Sequence, residues 1–345
     1  VARQPVDLVD ARTAVRRHAH AGARAALASV EGMSEQASAG SHWAAHRERG
    51  SFALMKLTAW AVRLLGRRAM APLLYLIVLY FYLFNRSARQ SAWRYQQNLV
   101  AYSGRADLAP NWRSVYHQFT AFADALLDKL DVWGGRLRLD RLVLHDSANL
   151  HADLKAPRGQ LLVGSHLGNL EICRALAEMG RKVRMNVLVH TRHAERFNRL
   201  LNESGANNLR LIQVSELDPA IMMELSHRLD QGEWLAIAGD RVPLQGARIA
   251  TADFLGQPAA FPQGPWLLAG LLQCPANLLF CLKQGEQFHV HLEPFADCIE
   301  WRRGERDAVV QRWVQRYADR LAARCLEAPL QWFNFYPFWD THEKR

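Results

Sequence analysis

The chain has 345 residues, half of them hydrophobic and 10% aromatic, with a formal charge of +10 carried almost entirely by arginine. That composition supports a large core and excludes wholesale disorder, and the length suits one large α/β domain or two small ones. The charge suits a polyanionic partner, but the chain has no RNP-like aromatic strand, no Cys/His finger spacing and no continuous basic helix, which argues against nucleic acid.

Residues 1–40 are polar, rich in Ala and Arg, and read as an extension or linker; residues 41–345 read as the functional domain. The chain starts at Val1, so the natural start is expected upstream, and no secretory signal pattern follows. Cys173, Cys274, Cys281, Cys298 and Cys325 are scattered and form no C-x-x-C pair, the usage of a reducing compartment.

Hydrophobic structure begins near Trp43, and Leu54, Leu57, Val62 and Leu65 have helical spacing. Ala71 to Phe84, APLLYLIVLYFYLF, is the most apolar run. As a helix it rises about 21 Å, short of a bilayer core of about 30 Å. With arginines beyond both ends and tyrosines inside, it reads as an interfacial or half-inserted helix, ahead of a buried core helix or a full span. Val115, Phe119, Phe122, Leu126 and Leu130 then predict one amphipathic helix over Ser114 to Leu130.

Beyond residue 158 short apolar runs alternate with helix-length segments: Gln160–Gly164, Val183–His190, Arg210–Val214 and Trp234–Gly239 read as parallel strands with crossovers. Ala276–Leu282 and Phe288–Glu293 read as an antiparallel hairpin turning near Gln284-Gly285. The fold class is therefore α/β, a mixed, mainly parallel sheet with helices on both faces, preceded by an N-terminal helical membrane-facing section.

GQLLVGSHLGNLEICRAL, residues 159–176, carries the strongest chemical signal. A strand ends at Gly164, which places His166 where α/β sheets gather ligands. His166 and Glu171 would stand about 140° apart in a continuous helix and can meet only if His166 lies in the turn before it. A carboxylate on one imidazole nitrogen would fix the tautomer and leave the other as a general base. The bland alternative is a helix-capping histidine and a solvated acid. Ser165 is a poor nucleophile candidate, since the chain lacks a G-x-S-x-G elbow and neighbours in an extended turn point apart. Arg174 reads as a surface residue more than a functional one. His190, His193, His289 and His291 lack a completing carboxylate or cysteine at ligand spacing, so no metal is expected.

SHLGNLE, then LVHTRHAERFNRLL (188–201), AGDRVP (238–243) and FLGQPAAFPQGPWLLAGLLQCPANL (254–278), resemble the bacterial lipid A late acyltransferases, in the lysophospholipid acyltransferase superfamily marked by H-x4-D/E. With HWAAHRERGS and LLGRR before the apolar helix, the chain is most similar to a divergent branch, over roughly residues 42–300. The resemblance implies a lysophospholipid acyltransferase-like fold at the cytoplasmic face of the bacterial inner membrane, a thioester donor and no cofactor. It assigns His166 as base, Glu171 as its partner acid, and Arg192 to an oxyanion or acceptor phosphate. Asp240-Arg241 stand where the family has Asp-Gln, a departure that ties Arg241 to something particular to this branch. Phe254-Leu255-Gly256 and Pro262-x-Gly264 match a loop expected to border the acyl channel. PLQWFNFYPFWD keeps the family's Pro-x-Gln-Trp but loses its basic ending, which leaves the acceptor open.

The expected reaction moves an acyl chain from a carrier-protein thioester to a hydroxyl of a lipid or glycolipid at an anionic membrane. Backbone amides near Gly168 and Asn169, with Arg192 or with Asp240-Arg241, would bind substrate and stabilise the oxyanion. A thioesterase or lipid hydrolase, or a catalytically silent membrane-surface binding protein, are the alternatives.

Overall fold

The computed structural model describes residues 71–133, 139–150, 158–173, 184–189, 209–214, 217–242 and 248–339, all within the unit His42–Arg345. The extension over 1–40 and the helical pattern of Leu54 to Leu65 lie outside these residues.

Helix α1, Ala71–Phe84, is followed after a turn of 87° by α2, Arg86–Ser103. The break falls at Asn85, whose side chain accepts a hydrogen bond from Ala88 N at 3.0 Å and so caps the new helix. Gly104, left-handed at φ 70°, closes α2 by donating to Val100 O. Helix α3, Trp112–Trp133, starts where the Asn111 side chain accepts from Arg113 N and Ser114 N. Its most buried stripe is Val115, Phe119, Ala123 and Leu127. Phe122 and Leu126, expected on that face, border it instead, with Phe122 against Phe333 at 5.3 Å.

α1 packs on α3 through one side only. Tyr75 Oη donates to Asp124 Oδ1 at 2.7 Å, and the Tyr82 ring meets Tyr116 and Phe119. Its other side leaves Leu73, Leu76, Tyr80, Phe81, Leu83 and Phe84 exposed, Phe84 by 72%. No single described helix is long and apolar enough to cross a membrane; α1 and α2 together pass by length and composition, as a bent pair.

Among the described residues, seven strands form one sheet in the order β1-β9-β8-β2-β5-β3-β4. They are β1 Leu142–His145, β2 Leu161–Gly164, β3 Met185–Val189, β4 Leu209–Gln213, β5 Trp234–Ala238, β8 Ala276–Gln284 and β9 Gln287–Ala296. All neighbours are parallel except the β8–β9 hairpin, whose turn holds Gly285 at φ 60°. The mainly parallel α/β architecture is the expected one. β1, read from no pattern in the sequence, adds the edge strand beside β9.

Strand pleating splits the core between the two faces. Leu161, Val163, Leu235, Ile237, Leu278 and Phe280 face one cluster. Leu162, Trp234, Leu279, Cys281 and Val290 face the other. The first is the larger and takes in α4 Pro219–Asp230, α5 Gly264–Leu272 and α6 Arg306–Glu327.

A separate hairpin, β6 Ile249–Phe254 and β7 Gln257–Pro262, packs on α6. This is the segment expected to border an acyl channel. Phe254 is fully buried among Phe261, Trp332, Phe338 and Trp339, with ring centroids 5.3–5.8 Å away. Gly256 makes the turn at φ 74°, Pro262 ends β7 opposite Ile249, and Gly264 opens α5. Phe254 and Pro262 are buried, whereas Gly256 and Gly264 are exposed.

Candidate active site

β2 and β5 lie side by side with Gly164 opposite Ala238. Two residues beyond each strand end therefore stand at the same height, and these are His166 and Asp240. His166 Nδ1 lies 2.7 Å from Asp240 Oδ1, and the His166 backbone N–H donates to Oδ2 at 2.8 Å. The strand ends are held together from below. Gly164 O accepts from Gly239 N at 2.8 Å and from Tyr317 Oη at 2.7 Å. Gly239 has no room for a side chain, since a Cβ would stand 2.7 Å from Val163 and 2.9 Å from the Tyr317 ring.

Asp240 is fully buried. Its Oδ2 also accepts from Trp332 Nε1 at 3.1 Å and Asn334 Nδ2 at 3.2 Å. Burial pushes the carboxyl up, but the His166 ring, Arg241 and the His166 N–H outweigh it, and the net shift is downward. Asp240 is thus an anion at neutral pH. An ionised carboxylate only accepts, so Nδ1 carries the proton and Nε2 keeps its lone pair. The ring retains 33% of its side-chain exposure. Burial lowers the imidazole pKa below its ordinary 6.5, helped by the Arg241 and Lys129 charges and opposed by Asp240. The result is a neutral imidazole, oriented by a carboxylate and open at its second nitrogen: the arrangement of a general base.

The loop after His166 is fixed by backbone pairing. Gly168, at φ 70°, donates to Gln331 O at 2.8 Å, and Asn169 N donates to Cys281 O at 3.0 Å. A Cβ on Gly168 would fall 1.8 Å from Cys281 O, so only glycine fits. These two amides were expected to stabilise an oxyanion, and both N–H groups are already spent on the chain's own carbonyls. The Asn169 side chain ties the loop to α3 through Ala125 O at 3.0 Å.

Asp240, expected near the substrate, bonds the His166 ring at Nδ1, the contact expected of Glu171 as partner acid. Glu171 lies in the short 3-10 turn Leu170–Cys173, and its side chain is outside the described residues. So are Arg174, His190, Arg192 and His193. Arg241 stands beside the dyad with Nε on Asn334 Oδ1 at 2.7 Å, Nη2 on Phe333 O at 2.9 Å, and its guanidinium 5.9 Å from the Tyr336 ring centre. His289 and His291 join His145 at the β1–β9 edge, where His145 and His291 stack at 4.4 Å. Stacked rings do not converge on a point, and no metal-holding group of three or more His, Cys, Asp or Glu occurs among the described residues.

Trp332 and Asn334 were missed as site residues. Trp332 ends the Pro-x-Gln-Trp stretch, but nothing local ties either residue to Asp240, which they reach across 92 and 94 positions of sequence. The position of Asp240, just past a strand adjacent to β2, was a usable signal.

The sequence model of the bacterial lipid A biosynthesis acyltransferases matches residues 45–341, most of the chain. The chain belongs to that family. It is accordingly an acyltransferase that acts on lipid, and its family is one of bacterial membrane-associated enzymes. No curated protein matches the chain. The family match includes the dyad, the β6–β7 hairpin and the segment carrying Trp332 and Asn334.

Proposed function

We propose that this acyltransferase moves a fatty acyl chain from an acyl carrier protein thioester to a hydroxyl of a lipid or glycolipid, with His166 as the general base. The observation that carries the reading is the Nδ1–Asp240 bond, which leaves Nε2 as the exposed basic nitrogen. Nε2 takes the acceptor's hydroxyl proton as that oxygen bonds to the thioester carbonyl carbon. The tetrahedral intermediate collapses with cleavage of the C–S bond, and the imidazolium returns its proton to the leaving thiolate. Ester and free thiol are the products, and no acyl-enzyme is required. Asp240 stabilises the transient imidazolium, and the Arg241 charge, with Arg192 as a second cation, offsets the developing oxyanion.

The exposed apolar side of α1 fits the headgroup region of a bilayer. Arg86 and Arg89 follow it directly, and Arg89 donates to Leu83 O, so its charge sits at the helix end where anionic lipid would meet it. Placement at the cytoplasmic face of the inner membrane follows from the carrier-protein donor, a cytoplasmic species. The +10 charge favours encounter with an acidic carrier.

The test compares lipid extracts of cells with the wild-type gene and with His166→Ala by mass spectrometry, then assays the purified enzyme on the lipid that changes. His166→Ala is expected to lower transfer by about 10²–10⁴-fold with the thermal midpoint retained. Carrier-bound acyl groups should outcompete coenzyme A thioesters, less so as salt is raised. Near-normal transfer by His166→Ala, or acyl release as free acid without any acceptor, would overturn the reading.

A further inference from the structure

After α6 the chain re-enters the site as residues 331–339, and four consecutive residues bond to the machinery. Gln331 O accepts from Gly168 N, Trp332 bridges Leu167, Phe333 N donates to His166 O at 2.9 Å, and Asn334 reaches Asp240. The segment is anchored from behind as well. Gln118 Nε2 donates to Trp332 O at 2.8 Å, and the Gln331 amide makes both bonds to the Lys283 backbone. Trp332 and Asn334 are buried, and both amide ends of Asn334 are used, one on Asp240 and one on Arg241.

We propose that Trp332 and Asn334 are positioning residues for the base: they pin Asp240 Oδ2 so that Oδ1 alone faces the His166 ring, and they draw off part of the charge with which Oδ1 holds the ring proton. The inference rests on the reading of His166 as general base. An aspartate carboxylate turns freely about its last torsion unless one oxygen is fixed, and here three donors meet on Oδ2: His166 N, Trp332 Nε1 and Asn334 Nδ2. Trp332 also packs as a core aromatic against Tyr95, Phe254 and Phe338. Packing alone does not aim its N–H at the oxygen that Asn334 also chooses. Strengthening donors to a carboxylate weaken its pull on a partner proton, so their loss should make the imidazole more basic.

The described charged and titratable groups around His166 are Asp240 and Arg241 after β5, Lys129 on α3, Tyr317 on α6 and Tyr336 beside Arg241. Trp332→Phe and Asn334→Asp leave all of them in place. Diethyl pyrocarbonate modifies only neutral imidazole, so its rate at the His166 peptide, followed by mass spectrometry against pH in the full-length protein, reads the ring's ionisation without any substrate. Both variants should move the midpoint upward. Asn334→Asp should move it further, by about one pH unit, because it sets a second carboxylate beside the first. Trp332→Phe should also lower kcat about tenfold with KM little changed. Phe333→Leu, which loses packing and no donor, should lower the melting temperature and leave the midpoint alone. Asn334→Ser replaces Asn334→Asp where the latter does not fold. Folded Trp332→Phe and Asn334 variants with unmoved midpoints overturn the strap, whatever the substrate. Shifted midpoints in variants whose acyl transfer and its pH profile stay as in wild type overturn the role of His166 and leave the strap standing.

Discussion

The apex of β2 and the helix α1 break the ordinary division of polar and apolar groups in opposite directions. At the apex a fully buried carboxylate, a half-buried imidazole and a guanidinium sit beneath the surface, each with partners at hydrogen-bond distance. Along α1 leucine, tyrosine and phenylalanine side chains face outward over one whole side. Burying an ion costs free energy unless its bonds are satisfied, and exposing an apolar stripe forfeits burial that folding could have used. Either departure marks a place where something other than stability shaped the sequence. The two demand different partners: a small reacting group at the apex, an extended apolar surface at the helix.

The comparison breaks first at the carboxylate. Asp240→Asn keeps the shape and removes the charge, and it is expected to cut turnover by about 10² or more, since the imidazolium loses its counterion. Glu171→Gln is the matched control: measured side by side, the larger loss identifies the carboxylate that holds the base. A loss confined to Glu171→Gln would mean that the Nδ1 bond to Asp240 is not the working one.

A smaller effect is expected at the helix. Leu76→Ser with Phe84→Ser should weaken sedimentation with anionic vesicles by about tenfold or more, because each large apolar side chain is worth about 1.5–3 kcal/mol on burial. The thermal midpoint should scarcely move, both residues being exposed already. Equal loss of stability would show that the stripe is covered by protein instead.

The smallest effect is a displacement of the pH profile. The base works only with Nε2 unprotonated, and the His166 pKa is lowered from 6.5. Activity should therefore persist as pH falls through 6.5 and decline only below it. In Asp240→Asn the opposing charge is gone, so the acid limb should lie lower still. A wild-type limb above 6.5 would contradict the burial that sets the shift.

How much of this was legible in the sequence depended on the range of the contacts. Strands β2, β5 and β8 announced themselves as apolar runs between turns, and the Gly164–Asn169 stretch placed His166 correctly at a strand end. β1 is the short run LVLH set between Arg141 and Asp146, and its partner β9 lies far along the chain. The β6–β7 pairing and its packing on α6 were not legible, because an apolar strand buried on a helix and one facing an acyl chain have the same composition. Asp240 was visible as a residue but not as a partner. The five-residue spacing to Glu171 is a local pattern, whereas the bond to Asp240 spans 74 positions and depends on the β2–β5 register.

The return of residues 331–334 to the strand ends also sets an order in time. During synthesis β2, β5 and the His166 loop emerge long before Trp332 and Asn334, and contacts between such distant residues form late in folding. A chain lacking that return would leave Asp240 without two of its donors and the His166 loop without its bonds to Gln331 and Phe333. The site is complete only in a chain that has brought residues 331–334 back to the ends of β2 and β5.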